Sequence, residues 1–238
     1  MLVALAFCGC ETTSEKSAKL EHAAKQREAL TNRATAAAQR RLTISQVSRK
    51  VSVESVTLLH GSEGLAAVVT LQNHSDEALR EVPVRVTVPE AGASAYTNET
   101  PGQSPALIVA SLIPAHGRLE WIDDQIPSAT GAHNATAEVG EAPIARGAIP
   151  GLSVSGAHMI EDPSSGPGAE GLLVNHSRVS QSELVVYAVA RRGRSILAAG
   201  RAVLPSVAAG SSTRFQLFFI GDPTGGRLEV TAPPSTLG

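Results

Sequence analysis

Aromatic side chains make up only 3% of this 238-residue chain. Six follow residue 10: Tyr96, Trp121, Tyr187, Phe215, Phe218 and Phe219. Any core must therefore be built from Val, Leu, Ile and Ala, with Trp121, Tyr187, Phe215, Phe218 and Phe219 as anchors. Cysteine is confined to Cys8 and Cys10, which leaves the body without a disulfide or a thiol nucleophile. No run after residue 10 approaches the ~20 apolar residues that a membrane-spanning helix needs. Lysine vanishes after Lys50, and a net charge of -2 argues against a dedicated nucleic-acid binder.

That small net charge hides a division. Residues 11–50 carry nine basic and four acidic residues, a net of +5. From Val51 onward there are eleven Arg and eighteen acidic residues, a net of -7. A basic leader on an acidic body suits a stem lying near an anionic membrane surface. A solvated helix rich in Lys and Arg would give the same asymmetry.

The chain opens "MLVALAFCGCETTSEKS": apolar, then a cysteine preceded by Gly, then abruptly polar. This is the pattern at the end of a bacterial lipoprotein signal, where a small residue precedes a cysteine that receives lipid. Cys10, after Gly9, fits it better than Cys8, which follows the bulky Phe7. The basic residues expected before the apolar segment are missing, and a start further upstream would supply them. Residues 1–10 are thus expected to be a signal remnant, with Cys10 lipidated and the protein anchored to the membrane rather than spanning it. Residues 11–50 read as a basic linker. Within it, Thr13 to Arg41 has neither Gly nor Pro and is rich in Ala, Glu, Lys, Gln and Arg, which predicts a helical stem of roughly 40 Å.

From Val51 the texture changes to short alternating runs broken by Gly, Pro, Asn and Ser. Val82, Val84, Val86 and Val88 fall on one face of a strand, and Val185, Tyr187 and Val189 on one face of another. Pro83 and Pro89 predict an edge strand or strand ends. "RRGR" reads as a hairpin turn that uses Gly193 for positive φ. The phrase Asn-His-Ser occurs twice, at 73–75 and 175–177. Each time it follows a strand and precedes an alternating run, then a Pro/Ala/Gly corner, an aromatic strand, and a strand containing Glu-Val. The order and spacing predict an internal duplication with Asn-His-Ser as the turn after the second strand of each copy.

Six or seven short strands per copy predict an all-β fold: two tandem β-sandwiches over 51–141 and 142–238, divided in the Pro/Gly-rich "GEAPIARGAIPGLS". The stretches "LQNHSDEALREVPVRVTV", "VVYAVARRGRSILAAGRAVLP" and "FQLFFIGDP" make residues 51–235 resemble the tandem immunoglobulin-like or FxLYD-like domains of actinobacterial-type lipoproteins. Where FxLYD domains carry Tyr-Asp before the hairpin turn, this chain has Ala190, Arg191 and Arg192. The resemblance implies no catalytic residues and no cofactor.

Chemistry-bearing patterns are few. Seven His residues are scattered without metal-ligand spacing. His74 and His176 share a position in the repeat, which duplicated turn residues explain as well as a paired ligand would, and two His alone would lack partners for a metal. Asp123, Asp124 and Asp222 read as strand-end turn residues, although a pocket between the domains lined by them would suit a small-ligand or cation carrier. The sharpest charged feature is Arg191, Arg192 and Arg194 at a hairpin tip, a candidate docking site for lipid headgroups, an envelope protein or an anionic wall polymer. The expected function is a non-enzymatic, membrane-anchored, extracytoplasmic interaction or scaffold module. An enzyme would need a nucleophile and base within hydrogen-bond reach, a pair the sequence alone does not display.

Overall fold

Alternation with period two is answered by strands throughout the described part of the chain. The computed structural model describes residues 42, 44–62, 64–89, 95–99, 103–127 and 132–238. Cys8, Cys10 and the helical stem expected over 13–41 lie outside them. In the first half the strands are β1 (Val51–His60), β2 (Leu65–Asn73), β3 (Leu79–Val88), β4 (Tyr96–Thr97), β5 (Val109–Ile113), β6 (Arg118–Ile126) and β7 (Thr136–Val139). The second half holds β8 (Leu152–Asp162), β9 (Gly166–Asn175), β10 (Gln181–Arg192), β11 (Ser195–Val207), β12 (Ser212–Phe218), β13 (Ile220–Gly221) and β14 (Arg227–Thr231).

The two halves repeat one topology. Sheet β1-β2-β6 has its counterpart in β8-β9-β12, and β3 flanked by β5 and β7 has its counterpart in β10 flanked by β11 and β14. Every pairing is antiparallel. Unusual backbone is duplicated as well: Glu81 and Glu183 both take positive φ (49° and 50°), as do His116 and Gly210 (52° and 63°) at the corner before the aromatic strand. These four residues fall at equivalent places in the two halves.

Each half closes its two sheets over an apolar core. Val82, Val84, Val86 and Val88 point inward with Leu71, Trp121 and Ile113 in one cluster; Leu173, Leu184, Val186, Phe215 and Leu217 share the other. Pro89 stands just past the end of β3, as expected of a strand-end proline, but β3 is not an edge strand, because it pairs on both sides. Pro83 O still accepts the Gly140 N–H at 3.0 Å, so proline forfeits only the return bond on that side, and pairing resumes where the Arg80 N–H donates to Pro143 O. Phe218 also departs from expectation. β12 buries Phe215 and Leu217, so period two turns Phe218 outward, 38% exposed.

The halves are not separate beads. Val185, Tyr187, Val189 and Ala199, on the second-half sheet β10–β11, belong to the core cluster of the first half. Their neighbours Val186, Ala188, Ala190 and Ala198 face the second-half core. β10 is therefore buried from Leu184 to Ala190 without a break, and β2 from Leu65 to Leu71 likewise. A strand covered on both faces reads as a continuous apolar run rather than an alternating one. The β1-β2-β6 sheet of one half and the β10–β11 sheet of the other thus pack through their outer faces.

Candidate functional site at the seam between the halves

Apolar packing holds the centre of this seam, and ion pairs lock its sides. On β6, Leu119 and Trp121 face the first-half core, where the Trp121 Nε1–H donates to Val109 O at 3.2 Å. The alternate residues Glu120, Ile122 and Asp124 must then face the second half. Arg201 Nε of β11 donates to Asp124 Oδ1 at 2.7 Å, with side chains 5% and 18% exposed. Arg191, at the end of β10, pairs with Glu120 across the seam and with Glu229 of β14 at 3.3 Å. Arg227 also pairs with Glu229.

Asp123 lies one residue from the seam, fully buried inside the first half. Its Oδ2 accepts the Tyr96 hydroxyl at 2.8 Å, and its Oδ1 accepts the Gln125 N–H at 3.1 Å. Burial pushes the Asp123 carboxyl above its usual range, against the opposing pull of those hydrogen bonds. Burial first, and the Asp123 charge second, raise the Tyr96 phenol. Burial raises Tyr187 in the same way. The expectation that Asp123 and Asp124 end a strand is overturned, since both lie within β6. Asp222 alone behaves as expected: its Oδ1 accepts the Thr224 N–H at 2.9 Å in an exposed turn. Among the described residues no three His, Cys, Asp or Glu gather around a potential metal position.

The hairpin tip forms as its glycine predicts. Arg192 pairs with Ser195, leaving a two-residue loop in which Gly193 takes φ 61°. Beside it opens a cleft of about 630 Å³ lined by Arg118, Glu120, Arg191, Arg194, Glu229 and Thr231, drawn from both halves. The three arginines singled out in the sequence do not act alike. The Arg191 guanidinium is committed to Glu120 and Glu229 and braces the tip by donating to Arg194 O at 3.2 Å. Arg192 and Arg194 are exposed and make no ion pair with a described residue. Such a site can hold an anion by charge, but its floor already carries two carboxylates.

The repeated Asn-His-Ser phrase is structural at its first residue. Asn73 Nδ2 donates to Glu77 O (2.8 Å), Pro114 O (2.9 Å) and Ile113 O (3.4 Å), while its Oδ1 accepts from Ser75 N and Oγ. Asn175 repeats this with Val179 O, Ala208 O, Val207 O and Ser177. A buried amide thereby satisfies two loops at once, which a hydrophobic residue cannot do. The middle residue does something the sequence did not reveal: His74 Nε2 lies 2.7 Å from Ser52 Oγ, and His176 Nε2 2.7 Å from Ser153 Oγ. A serine and an imidazole at that separation are the first two members of a nucleophilic triad. Among the described residues no carboxylate orients either ring. Both pairs are exposed and tie the start of one strand to the end of its neighbour.

No protein-family model and no curated protein matches the chain. Three solved structures of the exo-chitosanase CsxA of Amycolatopsis orientalis, two of them complexes with PNP-beta-D-glucosamine, are similar to it at 13–14% identity and a TM-score of 0.30. They cover 77–78% of this chain, which spans only 26% of theirs. A likeness of that size carries no argument about activity.

Proposed function

We propose that the protein is a lipid-anchored extracytoplasmic lipoprotein without catalytic chemistry. In this reading Cys10 carries the anchor, a stem separates it from the body, and the body is a pair of tandem immunoglobulin-like β-sandwiches that serves as an interaction or scaffold module of the cell envelope. One observation carries it: the unpaired Arg192 and Arg194 stand on a hairpin that Arg191 locks across the seam. A guanidinium held on a braced turn loses little freedom on docking, which favours binding over a mobile tip. The partner is accordingly anionic, an envelope protein or a wall polymer. The carrier alternative draws no support from Asp123, Asp124 and Asp222, which are spent on Tyr96, Arg201 and their own turn. The Ser–His pairs belong to the repeat and stand at two equivalent surface positions, as turn fasteners would.

Photocrosslinking in the native host tests this reading, with the crosslinking side chain placed at Ser195. Discrete envelope adducts are expected from the wild-type tip and should weaken when Arg192 and Arg194 become Ser. Adducts unchanged by that substitution would remove the tip as the docking surface.

A further inference from the structure

The two halves put equivalent sheets to different uses. Asn73 and Asn175 occupy equivalent places, so Val68 of β2 corresponds to Glu170 of β9, and Ile122 of β6 to Gln216 of β12. In the first half Val68 and Ile122 are paired and fully buried, in the middle of the face that packs on β10–β11. In the second half Glu170 and Gln216 are paired at the same place on the outer face of β8-β9-β12. Where one face presents an apolar centre to another sheet, its counterpart presents a carboxylate and an amide to solvent.

That open face is ordered in rows. Arg214, Gln216 and Phe218 alternate outward along β12 and are exposed. Across from them on β9 stand Leu172, Glu170 and Gly168, and beyond those Ser155, His158 and Ile160 of β8. Successive rows lie about 7 Å apart along the strands. Between Ser155 and His158 the register slips, so that Gly156 and Ala157 oppose Gly171 alone. This bulge, with Gly156 at φ 63°, borders a cleft of about 580 Å³ on the sheet. Gly171 lines the cleft without a side chain, and a Cβ there would meet Phe215 Cζ at 2.9 Å. One row beyond the cleft, Phe218 reaches over Gly168, whose Cβ would meet Phe218 Cδ1 at 3.1 Å. The glycine is buried beneath a phenylalanine that stays 38% exposed.

The polar groups around the cleft are either held in place or unspent. His158 Nδ1 donates to Gly156 O at 3.0 Å, and its Nε2 lies 3.2 Å from Glu170 Oε1. The side chains of Ser155, Arg214 and Gln216 make no hydrogen bond or ion pair with a described residue. Arg214 only donates, Glu170 only accepts, and Gln216 and Ser155 do both. With His158 neutral, one cation and one anion leave the cleft without net charge, so it does not select an ion. A hydroxyl group, which both donates and accepts, satisfies any two of these neighbours at once.

We propose that this face binds a neutral polysaccharide, one sugar ring stacking on Phe218 while hydroxyls along the chain bond to Gln216, Glu170 and Arg214. An exposed aromatic ring offers the C–H face of a sugar a flat apolar surface. Hydrogen bonds to the two charged members are the stronger ones. The rows run about 13 Å from Phe218 to Arg214, which suits consecutive units of a chain rather than a single sugar. The inference rests neither on the hairpin tip nor on the anchor.

Affinity gel electrophoresis tests it, using the full chain carrying Cys8→Ser and Cys10→Ser in gels cast with hydroxyethyl cellulose, dextran, mannan or galactan. At least one of these neutral polymers should retard the protein. Phe218→Ser should weaken that binding about tenfold. Glu170→Val with Gln216→Ile, which copies the covered face of the first half, should weaken it by at least as much. Val47→Ser removes a still more exposed apolar side chain elsewhere and should leave binding within about twofold. Absence of retardation in all four gels would overturn the proposal, as would retardation indifferent to both changes on the face. Retardation in polygalacturonate alone, lost on Arg214→Ser, would also overturn it and make the cleft an anion site. Photocrosslinking at Ser195 reads the hairpin tip separately, so either reading can fail without the other.

Discussion

Replacing Arg201 by Met should expose how firmly the two halves are joined. The Arg201 side chain is 5% exposed and its partner Asp124 18%, so truncation strands a carboxylate in a largely dry seam. Removing one member of a buried ion pair costs about 3–5 kcal/mol, and the partial exposure of Asp124 places this case at the lower end, about 3 kcal/mol. For a chain of this size, about 2–4 °C of melting temperature is lost per kcal/mol, which predicts a fall of about 6–12 °C. Replacing both partners, Arg201→Met with Asp124→Leu, removes the stranded charge and should restore stability to within about 1 kcal/mol of wild type. Urea titration followed by circular dichroism measures both quantities. A single-variant cost below about 1 kcal/mol, or a double variant no better than the single, would refute the buried seam pair.

Other consequences follow from the same contacts. Asn73→Ala removes the amide that bridges Glu77 O, Pro114 O and Ile113 O and that accepts from Ser75. Glu77 O keeps the Ser75 hydroxyl and Pro114 O the Gly117 N–H, so the change should cost about 1–3 kcal/mol by urea titration. Asn175→Ala, in the duplicated setting, should agree with it to within about 1 kcal/mol; a large disparity would mean that the two turns are not equivalent. Because burial raises the Asp123 carboxyl, its contribution is fully present below the unfolded value of 3.8 and is lost as pH rises through the higher folded value. The stability of wild type relative to Asp123→Asn should therefore fall as pH is raised from 3.8 toward neutrality, and a flat difference would contradict the assignment. Gly193→Val, at φ 61° with open space around its Cβ, should cost about 1–2 kcal/mol through backbone strain alone. Phe218→Ser should stay within about 0.5 kcal/mol, whereas Phe215→Ala should cost about 3–5 kcal/mol, both read from urea midpoints.

The matching turns of the two halves were legible because their signals are local. Asn73 and Asn175 bond to backbone within four residues as well as far away, and Gly193 answers a two-residue turn. Facing within a half was legible in β3, where one side of the strand meets solvent, but not in β12, where Phe218 counts among the expected core anchors and yet turns outward. The seam was not, because period two cannot tell a strand buried on one face from one buried on both. The unbroken run Leu184–Ala190 was the available signal. Arg191 and Asp124 were misjudged for a related reason: their partners lie 71 and 77 residues away in sequence, so neither pairing leaves a local trace. The Ser–His pairs arise across neighbouring strands and needed the register to be found.

Metabolic labelling with a fatty-acid analogue, in the native host and from the native locus, tests the anchored reading most directly. Wild type, Cys8→Ser and Cys10→Ser would be compared. The account predicts label in the first two and none in Cys10→Ser, with that variant released from the membrane fraction. An unlabelled, freely soluble wild type would contradict it, and label that persists in Cys10→Ser would move the anchor away from Cys10.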